Sequence, residues 1–241
     1  MRGIILSGGS GTRLRPLTKI TSKQLLPIYH RPMIYYPLNT LIKAGIKEIL
    51  IIVSPERAGD YLNLLGSGKE FGVKFTYEIQ DKPEGLAQAF IIGENFIDNE
   101  DVTMILGDNI FEDDFSQDIK SFQGGAKIFA KKVTDPERFG VVKFDDNFKA
   151  EKIVEKPQEF LSDYAVTGLY VYDKRVVEFA KQMKPSARGE LEITDVNNWY
   201  LEKGELSVAM VQGEWLDAGT FDSLLKAQQI AKEKLANKML I

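Results

Sequence analysis

An α/β fold built on a Rossmann-like, doubly wound sheet, mixed but mostly parallel, is predicted by three features of this sequence. Near-continuous apolar runs such as ILIIV (49–53) and VTMIL (102–106) suit strands buried on both faces. These runs alternate with helical patterns through the first half, the order from which parallel sheets are made. The first run also ends in a glycine-rich turn, the place where such folds hold a ligand at the carboxyl ends of their strands.

Each element follows in order. A strand over Gly3–Leu6 leads into LSGGSGTRLRPLTKITSKQLLP (6–27), where glycines turn the chain and Arg13, Arg15, Lys19 and Lys23 arrive within eleven residues. Helical patterns over Met33–Lys43, Glu56–Leu65 and Leu86–Phe96 separate strands over Glu48–Val53, Val73–Glu78 and Val102–Leu106. The second half changes character: 126–133, 140–144 and 165–172 are strand-like with little helix between them, which suggests a β-rich lobe over the substrate. A helix near Ile193–Glu202 follows, and a last one spans about Thr220–Lys238, where Ala227, Ile230, Ala231 and Leu235 form a packing stripe.

Composition narrows the chemistry. The 241 residues, 44% hydrophobic, suffice to bury a large core in one domain. Residues 1–47 hold eight Lys or Arg and no Asp or Glu, although the whole chain has a net charge of −4. Positive charge is therefore concentrated at the front of an acidic protein, a balance that argues against wholesale binding of nucleic acid or of an anionic membrane. No apolar run approaches the roughly 18 residues of a membrane span. The start, MRGIILSGG, lacks a signal peptide's apolar stretch and cleavage site, so a cytoplasmic enzyme is expected. The absence of cysteine excludes disulfides, thiolate nucleophiles and cysteine-ligated zinc or iron–sulfur clusters. The single histidine, His30, lies in a proline-flanked loop and is a poor basis for a Ser-His-Asp triad. Any metal should be hard and oxygen-bound, such as Mg²⁺.

The glycine-rich turn fits neither of the two commonest phosphate motifs. The Gly-Lys-Ser/Thr that closes a P-loop is absent. A dinucleotide fingerprint needs a third glycine and an acidic residue after the second strand, whereas Gly9-x-Gly11 runs on to Leu14, and Ser54 and Pro55 follow Val53. An NAD-dependent dehydrogenase is thus a distant alternative. Two readings of the turn stay open: a phosphate-wrapping loop of glycine amides and arginine, or a plain turn on a solvated basic face.

The longer string decides between them. Gly8-Gly9-Ser10-Gly11-Thr12-Arg13-Leu14-x-Pro16-x-Thr18, then Lys23-Gln24-Leu25-Leu26-Pro27, resembles the signature of the sugar-nucleotide pyrophosphorylases, and most nearly the glucose-1-phosphate thymidylyltransferases. The resemblance continues through PMIYYPL (32–38), GSGKEFGV (66–73), GLAQAF (85–90), ILGDNIF (105–111), RFGVV (138–142), VEKP (154–157), VTGLY (166–170), RGELEITD (188–195) and WLDAGT (215–220). It implies the nucleotide-diphospho-sugar transferase fold as a single domain over 1–241, with a nucleotide-binding half (about 1–110), a sugar-phosphate half (about 111–220) and a terminal helix (220–238). It also implies a reaction: dTTP and α-D-glucose 1-phosphate give dTDP-glucose and pyrophosphate, feeding a dTDP-rhamnose type of deoxysugar route to surface polysaccharide. The nucleophile is then a phosphate oxygen, whose second pKa of about 6 leaves it ionised without a general base. Catalysis reduces to alignment and to charge neutralisation by Mg²⁺ and Arg/Lys. Alternatives are an enzyme that uses UTP as well, and a noncatalytic homologue that only binds sugar nucleotides.

The resemblance assigns roles residue by residue. Asp108 and Asp217 hold Mg²⁺, and Asn109 touches the sugar phosphate, although either aspartate taken alone reads as a turn or helix cap. Arg13 holds the β- and γ-phosphates, Lys23 bridges the reacting phosphates, Lys156 holds the sugar phosphate, and Arg188 joins that grip. Gly8, Gly11 and Thr12 supply amide contacts, with Gln24 nearby. Gln80 and Gly85 read the base, the amide pairing with a pyrimidine imide edge and the glycine permitting close approach. Glu155 accepts sugar hydroxyls, flanked by Gly140 and Val166, with Trp215 as a wall. Phe139 stands where the family often has tyrosine, a loss of at most about 1–3 kcal/mol if a partner is left buried. The chain stops one helix after WLDAGT, where many thymidylyltransferases continue into helices that build subunit contacts and a regulatory site. A homo-oligomer, dimer or tetramer, is implied, with weak or absent feedback by a deoxysugar nucleotide.

Overall fold

The computed structural model describes residues 1–9, 11–236 and 238–241; Ser10 of the glycine-rich turn and Asn237 near the end of the chain lie outside the described residues. The first half is the expected alternation. It comprises β1 (Arg2–Ser7), a short hairpin of β2 (Pro27–Ile28) and β3 (Arg31–Pro32), α1 (Tyr35–Lys43), β4 (Glu48–Val53), α2 (Ala58–Leu65), β5 (Lys74–Ile79), α3 (Gln88–Ile92), α4 (Glu94–Ile97) and β6 (Val102–Leu106). β6, β1, β4 and β5 lie side by side and parallel, with Ile5 opposite both Ile51 and Ile105. Successive residues of these strands enter opposite cores: Ile4, Leu50 and Met104 pack with Phe90, while Ile5, Ile51 and Ile105 pack with Leu38. That is why the runs read as apolar without alternation.

The second half turns the sheet mixed. It adds β7 (Asn109–Phe111), α5 (Ser116–Lys120), β8 (Ala126–Lys132), β9 (Gly140–Phe144), β10 (Ala150–Glu155), β11 (Tyr164–Tyr172), α6 (Arg175–Gln182), α7 (Ile193–Glu202), β12 (Leu206–Met210), β13 (Trp215–Asp217) and α8 (Phe221–Ile230). β11 runs antiparallel to β6, and β8, β9, β10 and β12 extend the sheet beyond it. Its last residues, Leu169–Tyr172, lie along β6, whereas Ala165 pairs with Val141 of β9. Residues 166–168 fall between these two partners. The edge opens there, beside the carboxyl end of β6.

Two predicted helices are interrupted, and α6 has no counterpart among the predicted helices. The pattern over Leu86–Phe96 forms α3 and α4 with Gly93 between them, a residue pressed so closely on the sheet that a Cβ would lie 3.0 Å from Leu50 Cδ2. The terminal helix is α8 only as far as Ile230; Ala231–Leu235 form a π turn, and Lys238 lies beyond both. α8 starts where the sequence places it because Thr220 Oγ1 accepts the Ser223 amide (3.2 Å) while Ser223 Oγ accepts that of Thr220 (3.0 Å).

Candidate active site

The carboxyl ends of β1 and β6 meet the start of β7, and there the two predicted metal ligands come together. β7 and β13 form an antiparallel pair in which Asp217 stands opposite Asn109, and Ala218 N–H donates to the carbonyl of Asp108 (3.0 Å). Segments far apart in the chain are thereby clipped side by side. Asn109 is buried and fully engaged: its Oδ1 accepts Gly168 N–H (3.0 Å) and Trp215 Nε1–H (2.7 Å), and its Nδ2 donates to Asp108 Oδ1 (3.1 Å). Gly168 is required at the open edge of β11, since a Cβ would lie 2.6 Å from Asn109 Cγ.

Lys23 pairs with Asp108 Oδ2, both side chains only 12% exposed. Burial alone raises the Asp108 pKa, but the Lys23 charge and the hydrogen bonds from Lys23 and Asn109 hold it below the usual carboxylate range. Asp217 goes the other way: burial, then the charge of Asp108, pushes it up to about 6. Its Oδ1 is buried with no hydrogen-bond partner among the described residues. Two facing carboxylates, one with an orphaned oxygen, suit a hard cation that keeps most of its ligands for substrate phosphates and water. No larger cluster of metal-ligating side chains occurs among the described residues.

The glycine-rich turn supplies the positive wall. Gly11 is left-handed (φ +61°), and its carbonyl accepts Thr18 Oγ1–H (2.8 Å). Thr12–Leu14 then form a 3-10 turn that sends Arg13 toward Asp217. Room for the guanidinium comes from Gly219, where a Cβ would lie 2.7 Å from Arg13 Nη2 and 2.8 Å from Asp217 Oδ1. Gln24 is buried beneath Gly107, its Oε1 accepting Ser22 Oγ–H (2.8 Å) and Tyr61 O–H (3.2 Å). At Gly8 a Cβ would collide with Gln80 Oε1, so this glycine makes space for the predicted base-reading amide. Gly85 (φ +108°) admits a close approach of a different kind: the backbone of Leu191 lies where its side chain would be, and Leu191 N–H donates to the Glu84 carbonyl (2.7 Å). Lys23, Gln24, Gln80, Gly85, Asp108 and Asp217 share one cleft.

A second pocket continues from it through the break in the sheet. Glu155 Oε2 accepts Thr194 Oγ1–H (2.7 Å), and Gly140 leaves space for that pair, since a Cβ would lie 3.2 Å from Glu155 Oε2. Val166 and Trp215 line the same pocket, with Phe139 packed on Trp215 at 5.0 Å between ring centroids. Lys156 follows Glu155 in a left-handed conformation (φ +42°), its Nζ 3.7 Å from Glu155 Oε1. Arg188 is held by carboxylates, at 3.4 Å from Glu155, 2.9 Å from Glu190 and 3.6 Å from Glu192. Neither Lys156 nor Arg188 lines the cleft or the pocket. Thr194, Gly107, Gly168 and Gly219 escaped notice as individual site residues, although each lies inside a motif quoted from the sequence.

Comparison with known proteins gives a consistent picture. Residues 2–234 match the family described as nucleotidyl transferase. The chain is 58% identical over 233 residues to the glucose-1-phosphate thymidylyltransferase of Neisseria meningitidis serogroup A, covering 94% of this chain and 81% of that protein. It is 52% identical over 237 residues to the enzyme of that name from Mycobacterium tuberculosis strain H37Rv, covering 96% and 82%. Among solved structures, a Bacillus anthracis protein assigned as a glucose-1-phosphate thymidylyltransferase, crystallised with a sucrose, superposes with a TM-score of 0.92 at 50% identity, over 97% of this chain and 96% of that one. A UDP-glucose pyrophosphorylase complexed with UDP-glucose shares the fold, with a TM-score of 0.85 at 24% identity over 97% of this chain and 98% of that one.

Proposed function

Because the chain belongs to the nucleotidyl transferase family, we propose that it joins dTTP to α-D-glucose 1-phosphate, giving dTDP-glucose and pyrophosphate. The observation that carries the mechanism is the cluster of Lys23, Asp108, Asp217 and Arg13 at the mouth of the parallel sheet. An oxygen of the sugar phosphate attacks the α-phosphorus of the triphosphate, and the bond from that phosphorus to the bridging oxygen breaks as pyrophosphate leaves. The attacking phosphate is already ionised, so no residue has to take a proton. The obstacle is the meeting of two polyanions, and the positive wall lowers it.

Arg13 holds the leaving pyrophosphate, and Lys23 moves from Asp108 to span the phosphates of both substrates. Gly8, Gly11 and Thr12 offer backbone amides to the triphosphate. Asp108 and Asp217 hold a divalent cation, Mg²⁺ in this reading, which supplies charge neutralisation when bound. Glu155, beside Gly140 and Val166, accepts sugar hydroxyls. Lys156 and Arg188 turn from their carboxylates to the sugar phosphate. Gln80 and Gly85 lie at the base. The Gln80 amide can offer the same hydrogen bonds to thymine and to uracil, so use of UTP beside dTTP is the second reading. A cytoplasmic homo-oligomer working as one nucleotidyltransferase unit completes the proposal. Its test is pyrophosphate release over a grid of triphosphates and sugar 1-phosphates, with and without EDTA. Release with dTTP and glucose 1-phosphate is expected; none with any pair would leave the chain a binding protein.

A further inference from the structure

A chain of side-chain hydrogen bonds runs from the surface to the amide of Gln80. Gln80 Nε2 donates to Gln88 Oε1 (2.6 Å). The same oxygen of Gln88 accepts the backbone N–H of Glu84 (3.1 Å), and Gln88 Nε2 donates to Glu84 Oε2 (2.9 Å). Gln88 is the first residue of α3, and Glu84 is exposed in the loop before it. Neither lines the cleft.

The two ends of an amide are nearly alike in shape, and only its partners decide which end is oxygen. Here the decision is made at Glu84. A carboxylate only accepts and a backbone N–H only donates, so together they hold Gln88 in one orientation. The Gln88 oxygen then demands the nitrogen of Gln80. Gln80 Oε1 is left facing Gly8, where no donor among the described residues reaches it.

We propose that Gln88 is a positioning residue for base selection: anchored by Glu84, it locks the Gln80 amide so that an acceptor and a donor meet the imide edge of thymine or uracil. Cytosine presents an acceptor at N3 beside an amino donor, the reverse order, and meets mismatched groups on both positions. A flipped Gln80 would favour it instead. The arrangement is indifferent to the 5-methyl group, so dTTP and UTP fare alike in this respect. The inference rests on the reading of Gln80 as the base contact.

The test compares kcat/KM for dTTP, UTP and CTP, from pyrophosphate release by the full chain, in Gln88→Met, in the double variant Glu84→Gln with Gln88→Glu, and in Gln80→Ala. Gln88→Met keeps the length of the side chain but removes the acceptor, and raises the CTP to dTTP ratio at least about tenfold, mainly through KM for dTTP. Gln88→Glu combined with Glu84→Gln returns an acceptor to Gln80 and a donor at position 84 to hold it, and brings the ratio back to within about twofold of the parent. KM for glucose 1-phosphate is unchanged in both. If Gln80→Ala raises the ratio and Gln88→Met does not, the positioning role is overturned and the base contact stands. Equal rises in Gln88→Met and in the double variant overturn it too, because a packing defect alone accounts for them. If Gln80→Ala leaves the ratio as it was, Gln80 does not read the base and both readings fall.

Discussion

A methyl group added at Gly219 would press on Arg13 Nη2 and on Asp217 Oδ1 at once. Gly219→Ala is therefore expected to raise KM for dTTP about tenfold or more, with KM for glucose 1-phosphate little changed, in steady-state kinetics. Asp108→Asn removes the charge opposite Lys23 and one arm of the proposed cation site. Turnover should fall by about 10²-fold or more while the far-ultraviolet circular dichroism stays that of the parent; near-normal turnover removes Asp108 from the centre. At this scale the sequence was informative about chemistry and silent about space. Asp108, Lys23 and Arg13 were legible through their motifs, whereas the requirement for glycine at 168 and 219 depends on Asn109 and Arg13 arriving from distant segments. The same limit applies to Gly85, whose close neighbour is the Leu191 backbone.

Among the elements, the start of α6 depends on one carboxylate. Asp173 accepts Gly125 N–H (2.8 Å), Tyr200 O–H (2.9 Å) and the Arg175 backbone N–H (3.0 Å), and it pairs with the Arg175 guanidinium. Burial raises its pKa, but the hydrogen bonds from Arg175, Gly125 and Tyr200 outweigh burial and hold it below the ordinary value. A pKa lower in the folded than in the unfolded chain contributes stability above the unfolded value, about 3.9, and that contribution is lost as pH falls through the folded one. Asp173→Asn should thus cost about 1–3 kcal/mol at neutral pH and flatten the acid limb of a melting-temperature profile. Thr220→Ala, which breaks the reciprocal cap of α8, should cost about 1 kcal/mol in a denaturant titration. The strands β4, β6 and β9 and the helix α7 were read to the residue because long or strongly patterned segments declare themselves. β7 and β13, three residues each, have no period to read, and β10, AEKIVE at the edge of the sheet, follows neither a strict alternation nor a continuous apolar run. The π turn after Ile230 continues an apolar stripe that a sequence cannot tell from α-helix.

Over the whole molecule, the opposition of charge is what the substrates meet. The front segment is purely basic among its charged residues, and Arg13 and Lys23 bring that charge into a cleft where Asp217 and Asp108 stand directly against them. A field of this kind draws polyanions and weakens with salt, so KM for dTTP should rise with ionic strength more steeply than kcat changes. Chelation tests the other half of the balance: EDTA should abolish pyrophosphate release and added Mg²⁺ restore it, and release indifferent to EDTA would sink the cation. The parallel half of the sheet and its ligand edge were legible from the alternation of runs, because each strand announces its own burial. The pairing of Asp108 with Asp217 was legible only through resemblance, since it is a property of the β7–β13 clip and of nothing local.

That clip also sets an order in time. In synthesis the basic cradle and Asp108 are made at least 109 residues ahead of Asp217. Until Trp215–Asp217 pair with Asn109–Phe111, only one of the two facing carboxylates is in place. A fragment ended by a premature stop before β13 lacks the proposed cation pair and is expected to release no pyrophosphate.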